Sequence, residues 1–152
     1  KATGLPLKIV GNVESHLFFE REIKPHLGET IQFVGDPNSA EGSLTLEERV
    51  RLYQGASALL LPVHWEEPFG IVMIEAMSCG TPVIAYRRGA IPEVVTDGLT
   101  GFIVENQEQM IDAVKKIGSL DRSLPRRRVE ERFTTETMVS GYERIYQSIL
   151  KI

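Results

Sequence analysis

The chain has 152 residues, 42% of them hydrophobic and 25% charged, which is the composition of a single folded domain with its own core. Its formal net charge of −4 gives no electrostatic footprint for nucleic acid, and its single cysteine excludes an internal disulfide and a cysteine-based zinc site. One cysteine fits a reducing, cytoplasmic setting, and no apolar run approaches the ~20 residues that span a bilayer.

Short apolar runs alternate with helical patterns along the whole chain. The runs predict five strands, which comprise residues 7–11, 31–35, 58–62, 83–85 and 101–104. Helices are predicted at about 18–28, 45–56, 70–80, 107–116 and 135–149, with a turn at 36–39 and a helical turn at 92–95. This alternation predicts an α/β fold, a Rossmann-like parallel sheet flanked by helices.

Three of these elements carry additional signals. Thr45-x-x-Glu48 is a capping-box pattern, which marks the start of the second helix. Residues 58–62 are continuously apolar, which predicts a strand buried on both faces. The last helix carries an apolar stripe on one face, formed by Tyr142, Ile145, Tyr146 and Ile149.

The segment from Trp65 to Ala85, WEEPFGIVMIEAMSCGTPVIA, is predicted to form a loop, a buried helix, a turn and a strand. Pro68 and Gly70 suit the start of the helix, and Gly80 suits its end. The first N–H groups of a helix have no partner within it and favour an anion. Because Gly70 has no Cβ, a phosphate can approach its backbone closely.

Two carboxylates, Glu67 and Glu75, lie on either side of this helix start in the sequence. Glu75 is about 7.5 Å along the helix axis from Gly70, and its side chain leans back toward the N-terminus. A diphosphate at Gly70 would place Glu75 near a ribose diol and Glu67 near the other end of the same ligand. The alternative is that Glu67 only favours the helix dipole and Glu75 points at solvent. Against this, a lone carboxylate in so apolar a helix is costly without a partner.

Other residues near the strand ends are assigned structural roles. We expect Trp65 to pack at the base of the loop rather than to stack on a ligand. His64 is expected to lie packed or at the rim rather than to act as a catalytic base, and Cys79 to pack between elements rather than to act as a nucleophile. Arg87 and Arg88 are expected in a solvated loop, and Arg126 to Arg128 on an exposed helical face. The sequence contains no G-x-G-x-x-G motif, so a dinucleotide-dependent oxidoreductase is not favoured.

These residues carry a resemblance to a known family. Glu67 and Glu75, with seven residues between them, match the E-x7-E motif of retaining GT-B glycosyltransferases. The surrounding EPFGIVMIEAMSCGTPVIA, together with GAIPEVVTDGLTGFIV and LYQGASALLLP, resembles family 4 glycosyltransferases in particular. The resemblance runs from about Leu7 to about Val104. It implies that residues 1–152 form one half of a GT-B fold, the C-terminal donor-binding domain.

The resemblance also implies an activity and a set of site residues. The activity is retaining transfer of a hexosyl group from a nucleotide-diphosphate sugar to an acceptor. The implied donor-binding residues are Glu67, which is also the implied catalytic residue, Phe69, Gly70, Ile71, Glu75 and Gly35. In these roles the backbone around Gly70 holds the diphosphate, Glu67 the sugar hydroxyls and Glu75 the ribose hydroxyls. Gly35 lies against the base in the family, although it is equally well explained as a plain strand-to-turn glycine.

The departures from the family lead to further expectations. The family also has an N-terminal acceptor-binding domain, and an Arg and a Lys that contact the donor diphosphate. The resemblance covers none of these, so we expect a piece of a longer transferase that is inactive alone. The segment from Asp36 to Leu44 is longer than the family's connection, which weakens the assignment of base contacts there.

The expected ligands and partners follow from the same resemblance. The nucleotide sugar is a substrate, and no cofactor or metal is expected, because there is no D-x-D motif and the three histidines are scattered. The expected partners are the sugar donor and the missing N-terminal domain, with no nucleic acid and no transmembrane segment. Two alternatives stay open: a GT-B-like sugar-nucleotide epimerase, and a non-catalytic nucleotide-sugar-binding module.

Overall fold

The computed structural model describes residues 2–35 and 44–150, so the turn predicted at 36–39 lies outside the described residues. Within them the strands are β1 (Leu7–Val10), β2 (Ile31–Gly35), β3 (Leu59–Leu61), β4 (Val83–Tyr86) and β5 (Gly101–Val104). The α-helices are α1 (His16–Phe18), α2 (Leu46–Gly55), α3 (Ile71–Ser78), α4 (Ile91–Val94), α5 (Gln107–Lys116), α6 (Ser123–Arg132) and α7 (Thr135–Leu150). All five predicted strands are confirmed to within about two residues.

The chain divides into two compact units, Lys1–Arg51 and Leu52–Ile152. In the first unit, β1 and β2 pair in parallel. The helix predicted between them is irregular, because α1 leads into a π-helical turn at Phe19–Ile23 and a 3₁₀ turn at Lys24–His26. Pro25 lacks an N–H and its ring clashes with the carbonyl four residues earlier, so a regular α-helix does not continue through it.

In the second unit, β3, β4 and β5 form a three-stranded parallel sheet with β4 in the centre. Val83, Ile84 and Ala85 of β4 are completely buried. The residues of β3 are only partly buried, because among the described residues β3 pairs with β4 alone. The prediction that this strand is buried on both faces is confirmed only in part, because Leu59 and Leu61 pack against one core cluster and Leu60 against the other without being fully buried.

Helices cover both faces of this sheet, as the sequence predicts. Val83 and Ala85 point to one face, where a core cluster includes residues of α3, α4 and α6. Ile84 points to the other face, where it packs with Val104 and residues of α5. The alternation along β4 is the period of two that strands impose on their side chains.

α3 ends as predicted at Gly80, which has a φ of 74°. The N–H of Gly80 donates to the Met77 carbonyl at 2.9 Å, and the N–H of Thr81 donates to the Ala76 carbonyl at 3.0 Å. These two bonds form a Schellman motif, which satisfies the last carbonyls of the helix. The chain then turns directly into β4, so α3 is fixed at its C-terminal end.

The predicted starts of α2 and α7 are confirmed, but one face of α7 is not buried. The capping box forms, with the Glu48 carboxylate accepting from the Thr45 N–H at 2.8 Å and the Thr45 hydroxyl accepting from the Glu48 N–H at 3.2 Å. The apolar stripe of α7 remains more than half exposed. None of the helices within residues 2–35 and 44–150 has the length and apolarity to cross a membrane. The cytoplasmic setting stays a prediction.

Candidate functional site

The start of α3 lies beyond the carboxyl end of β3 and has no side-chain cap. Gly70 is the N-cap residue, in the left-handed region with φ 78° and ψ 59°. A Cβ at this position would meet the terminal methyl group of Met73, which a flexible side chain can move, so the positive φ is what favours glycine here. The first N–H groups of α3 and the positive end of its dipole therefore lie next to a residue that has no side chain.

The two neighbours of Gly70 take their predicted places in the backbone but expose their side chains. Phe69 is 47% exposed and Ile71 is 65% exposed. The Phe69 ring packs edge-on against Phe133, with 6.3 Å between ring centroids. Their N–H groups, rather than their side chains, are what this helix start offers to an anion.

The backbone of Glu67 is held by the loop that follows β4. The N–H of Ala90 donates to the Glu67 carbonyl at 2.8 Å, and the N–H of Gly89 donates to the Glu66 carboxylate. A Cβ on Gly89 would overlap the Glu67 backbone. The loops at the carboxyl ends of β3 and β4 therefore lie in direct contact, and Glu67 sits at that contact.

The carboxylate of Glu67 accepts a hydrogen bond from the loop itself. The indole Nε1–H of Trp65 donates to Glu67 Oε2 at 3.0 Å. Trp65 is 62% exposed, so the expectation that it packs at the base of the loop is wrong. The sequence does not predict this contact, because a tryptophan two residues from a glutamate is not a recognised motif.

Glu75 has a partner from α2, which the alternative of a solvated carboxylate did not foresee. The Tyr53 hydroxyl donates to Glu75 Oε2 at 3.1 Å, and Glu75 is half-buried. Tyr53 is itself anchored, since its carbonyl accepts from the Thr81 hydroxyl. Next to it, the Arg122 guanidinium donates to the Ala56 carbonyl at 2.8 Å and caps the C-terminal end of α2. Glu75 is thus an oriented carboxylate in an otherwise apolar helix.

Gly35 ends β2 in the first unit, where its φ is 123°. Its carbonyl accepts from the Gly11 N–H at 3.3 Å, which extends the pairing of β1 and β2. The structure therefore confirms the strand-end position of Gly35. Its contact with a nucleotide base stays a prediction.

Cys79 and His64 have the structural surroundings that were expected. Burial raises the pKa of the Cys79 thiol, and the negative charge of Glu75 raises it further. A raised pKa keeps the thiol protonated at neutral pH, which agrees with packing rather than nucleophilic reactivity. His64 lies exposed at the rim, with its ring centroid 5.4 Å from that of Tyr86.

The arginines behave differently from one another. Arg87 is exposed and pairs with Glu105 at 2.8 Å, and Arg126 is exposed and pairs with Glu130 at 2.8 Å. Arg128 is half-buried, so its assignment to an exposed helical face is wrong. Its guanidinium donates to the Glu93 carbonyl at 2.8 Å and lies over the Phe133 ring, which fastens α6 to α4.

The metal-ligating side chains described near the site are not grouped as a metal ion would require. Among residues 2–35 and 44–150, no three His, Cys, Asp or Glu side chains are grouped so that they would hold a metal ion. The hydrogen-bond donors at the start of α3 are its own backbone N–H groups, and such groups bind anions without a metal.

Comparison with known proteins identifies the family. The model of the family described as Glycosyl transferases group 1 matches residues 4–132. The chain belongs to the group 1 glycosyltransferases. The N-acetyl-alpha-D-glucosaminyl L-malate synthase of Bacillus anthracis is 33% identical over 135 residues, which is 83% of this chain and 32% of the Bacillus enzyme. The chain thus spans about a third of that relative's length.

Solved structures show the same fold. A glycosyltransferase from Rickettsia africae has a TM-score of 0.77 at 24% identity, over 97% of this chain and 40% of the Rickettsia chain. Anabaena HepE, solved in complex with UDP-glucose, has a TM-score of 0.70 at 22% identity, over 97% of this chain and 41% of the HepE chain. The α/β fold with parallel strands flanked by helices is that of GT-B glycosyltransferases.

Proposed function

We propose that this chain is the C-terminal, donor-binding domain of a retaining family 4 glycosyltransferase, which transfers a hexosyl group from a nucleotide-diphosphate sugar to an acceptor. One observation carries the proposal: the start of α3 is uncapped and side-chain-free at Gly70, with an oriented carboxylate before it at Glu67 and another after it at Glu75. The rest of the transferase would supply the acceptor side of the cleft.

The donor diphosphate is placed at the N–H groups around Gly70. When the bond between the anomeric carbon and the diphosphate oxygen breaks, negative charge grows on the leaving diphosphate. Backbone N–H donors and the positive end of the α3 dipole stabilise this charge where it develops. No cofactor takes part in this step, since the nucleotide sugar is itself the substrate.

The two glutamates bind different parts of the donor in this proposal. Glu75 accepts from the ribose hydroxyls while Tyr53 holds its Oε2 atom. Glu67 accepts from hydroxyls of the transferred sugar and orients that sugar for reaction. Membership of a glycosyltransferase family supports this proposal, and so does the complex of HepE with UDP-glucose.

The test is to compare Glu75→Gln with Glu67→Gln in the complete transferase by calorimetry and transfer assays. A panel of UDP, GDP and ADP with their glucose derivatives first identifies the base. Glu75→Gln is expected to lower the affinity for the free nucleoside diphosphate and the affinity for the sugar nucleotide alike. The expected loss is about ten- to a hundredfold, the range for a lost hydrogen bond to a charged group. Glu67→Gln is expected to leave the affinity for the free nucleoside diphosphate unchanged and to lower the rate of sugar transfer.

Glu108→Gln is the matched control, because Glu108 is an exposed carboxylate in the first turn of α5. If both site variants lowered the affinity for the free nucleoside diphosphate equally, the separate roles proposed for Glu67 and Glu75 would be wrong. If neither variant changed binding or rate, neither carboxylate would contact the donor, and the proposed site would be wrong. Binding of the sugar nucleotide without transfer by the unmodified protein would instead support a binding module, and conversion to an epimer would support an epimerase.

A further inference from the structure

We propose that Trp65 is a positioning residue for Glu67, with its indole N–H holding one carboxylate oxygen so that the other is presented to the transferred sugar. The inference rests on the proposed donor-site role of Glu67. It assigns to Trp65 a task in transfer that differs from packing and from stacking on a ligand.

The geometry fixes Glu67 in two stages. Its backbone is held first, because the Ala90 N–H donates to its carbonyl at 2.8 Å and Gly89 lies against its main chain. The freedom that remains lies in the side-chain torsions. The bond of 3.0 Å from Trp65 Nε1 to Oε2 then restrains those torsions and the plane of the carboxylate.

The Glu67 side chain lies next to Gly70, at the start of α3. Its Cγ lies 3.4 Å from the point that a Cβ on Gly70 would occupy, so the carboxylate stem passes directly by the N-cap. Among the described residues, no other hydrogen bond reaches this carboxylate, so Oε1 is left to a ligand. A sugar attached to a diphosphate at Gly70 would therefore meet a carboxylate whose second oxygen is already engaged.

The exposure of Trp65 separates positioning from packing. A side chain that is 62% exposed contributes little to a core, whereas its Nε1–H is a donor that phenylalanine lacks. A hydrogen bond to an ionised acceptor is shorter and stronger than one between neutral groups. Replacing Trp65 with Phe removes this donor and keeps an aromatic ring, with small expected effect on folding.

The first arm of the experiment uses fluorescence of the 152-residue chain. Trp65 is its single tryptophan, so emission reports the surroundings of this one indole. Glu67→Gln is expected to shift the emission, because a neutral amide replaces the carboxylate beside Nε1, and Glu108→Gln is expected to leave it unchanged. Identical emission from the unmodified chain and Glu67→Gln would overturn the inference, because the indole would not contact the carboxylate in solution.

The second arm uses the complete transferase. Trp65→Phe is expected to lower kcat by about two- to tenfold, the range for one net hydrogen bond, and to leave the affinity for the free nucleoside diphosphate unchanged. In a Glu67→Gln background, Trp65→Phe is expected to have no further effect, because its action passes through Glu67.

The outcomes distinguish this inference from the proposed function. If Glu67→Gln lowers transfer and Trp65→Phe does not, the inference is overturned and the donor site stands. If the losses of kcat caused by the two substitutions multiply in the double mutant, Trp65 acts independently of Glu67 and the inference is again overturned. If Glu67→Gln leaves transfer intact, the role proposed for Glu67 fails first, and the positioning role fails with it.

Discussion

Gly89 shapes the candidate site by lacking a side chain. Its φ of 50° lies in the left-handed region, and a Cβ there would overlap the backbone of Glu67. Its N–H donates to the Glu66 carboxylate, and the N–H of Ala90 donates to the Glu67 carbonyl. One missing carbon therefore allows the loop after β4 to lie against the loop before α3.

We expect Gly89→Ala to destabilise the chain more than Gly98→Ala, its matched control. Gly98 also has a positive φ, 73°, but a Cβ there would meet nothing within 4 Å. Both variants carry the left-handed penalty of about 1–2 kcal/mol, while Gly89→Ala adds overpacking of roughly 1–3 kcal/mol. Urea denaturation of the 152-residue chain measures the difference. In the complete transferase only Gly89→Ala should lower transfer, and equal losses of stability would contradict the close approach.

The sequence predicted the position of the helix start better than the contacts made around it. Glu67, Gly70 and Glu75 were placed at a helix start from local signals, namely a turn, an apolar run and a glycine at each end. The bond from Tyr53 to Glu75 joins residues 22 apart, and the bond from Gly89 to Glu66 joins residues 23 apart. Such contacts depend on how strands and helices pack, which periodicity along one chain does not specify.

α3 links the candidate site to the core of the second unit. Met73, Ala76 and Met77 are completely buried, at the spacing of three and four residues that defines one helical face. Ile71 and Val72, in the first turn, remain 65% and 40% exposed. The face of the helix formed by Met73, Ala76 and Met77 is therefore the anchor, and the exposed first turn is the part that a ligand would approach.

The difference in burial between the core face of α3 and the stripe of α7 predicts unequal effects of two alanine substitutions. Met77→Ala empties a completely buried position and is expected to cost about 2–5 kcal/mol of unfolding free energy. Ile145→Ala, on the stripe of α7, changes a residue that is 55% exposed and is expected to stay within about 0.5 kcal/mol. Chemical denaturation of both variants of the 152-residue chain tests this. A large loss from Ile145→Ala would show that the stripe is covered in solution.

At the scale of elements, the strands were the most predictable part. Each is a short apolar run bounded by turn residues, and each was found. The helix predicted to end near Gly28 was less accurate because of Pro25, and α6 was not predicted as an element. In α7, the apolar stripe predicts the helix correctly, but a periodic pattern does not say whether its face is covered.

The net charge of the chain does not favour binding of an anionic ligand. The chain has a formal net charge of −4, and a nucleotide-diphosphate sugar is also an anion. The overall field therefore does not attract the ligand, and Glu67 and Glu75 add negative charge near the site. Short-range donors at the start of α3, whose field falls off within the first turn, must supply the attraction from this chain.

Donor binding is accordingly expected to need no divalent metal. The chain has three histidines, one cysteine and no D-x-D motif, and its described residues group no three metal-ligating side chains. Backbone N–H groups do not lose their hydrogen-bonding capacity when a chelator is added, so EDTA should leave the affinity of the complete transferase for its sugar nucleotide within about twofold. Calorimetry with and without EDTA measures this, with Glu75→Gln as the reference for a weakened site. If EDTA abolished binding and Mg²⁺ or Mn²⁺ restored it, a metal would bridge the diphosphate. The role given to the N-terminus of α3 would then be wrong.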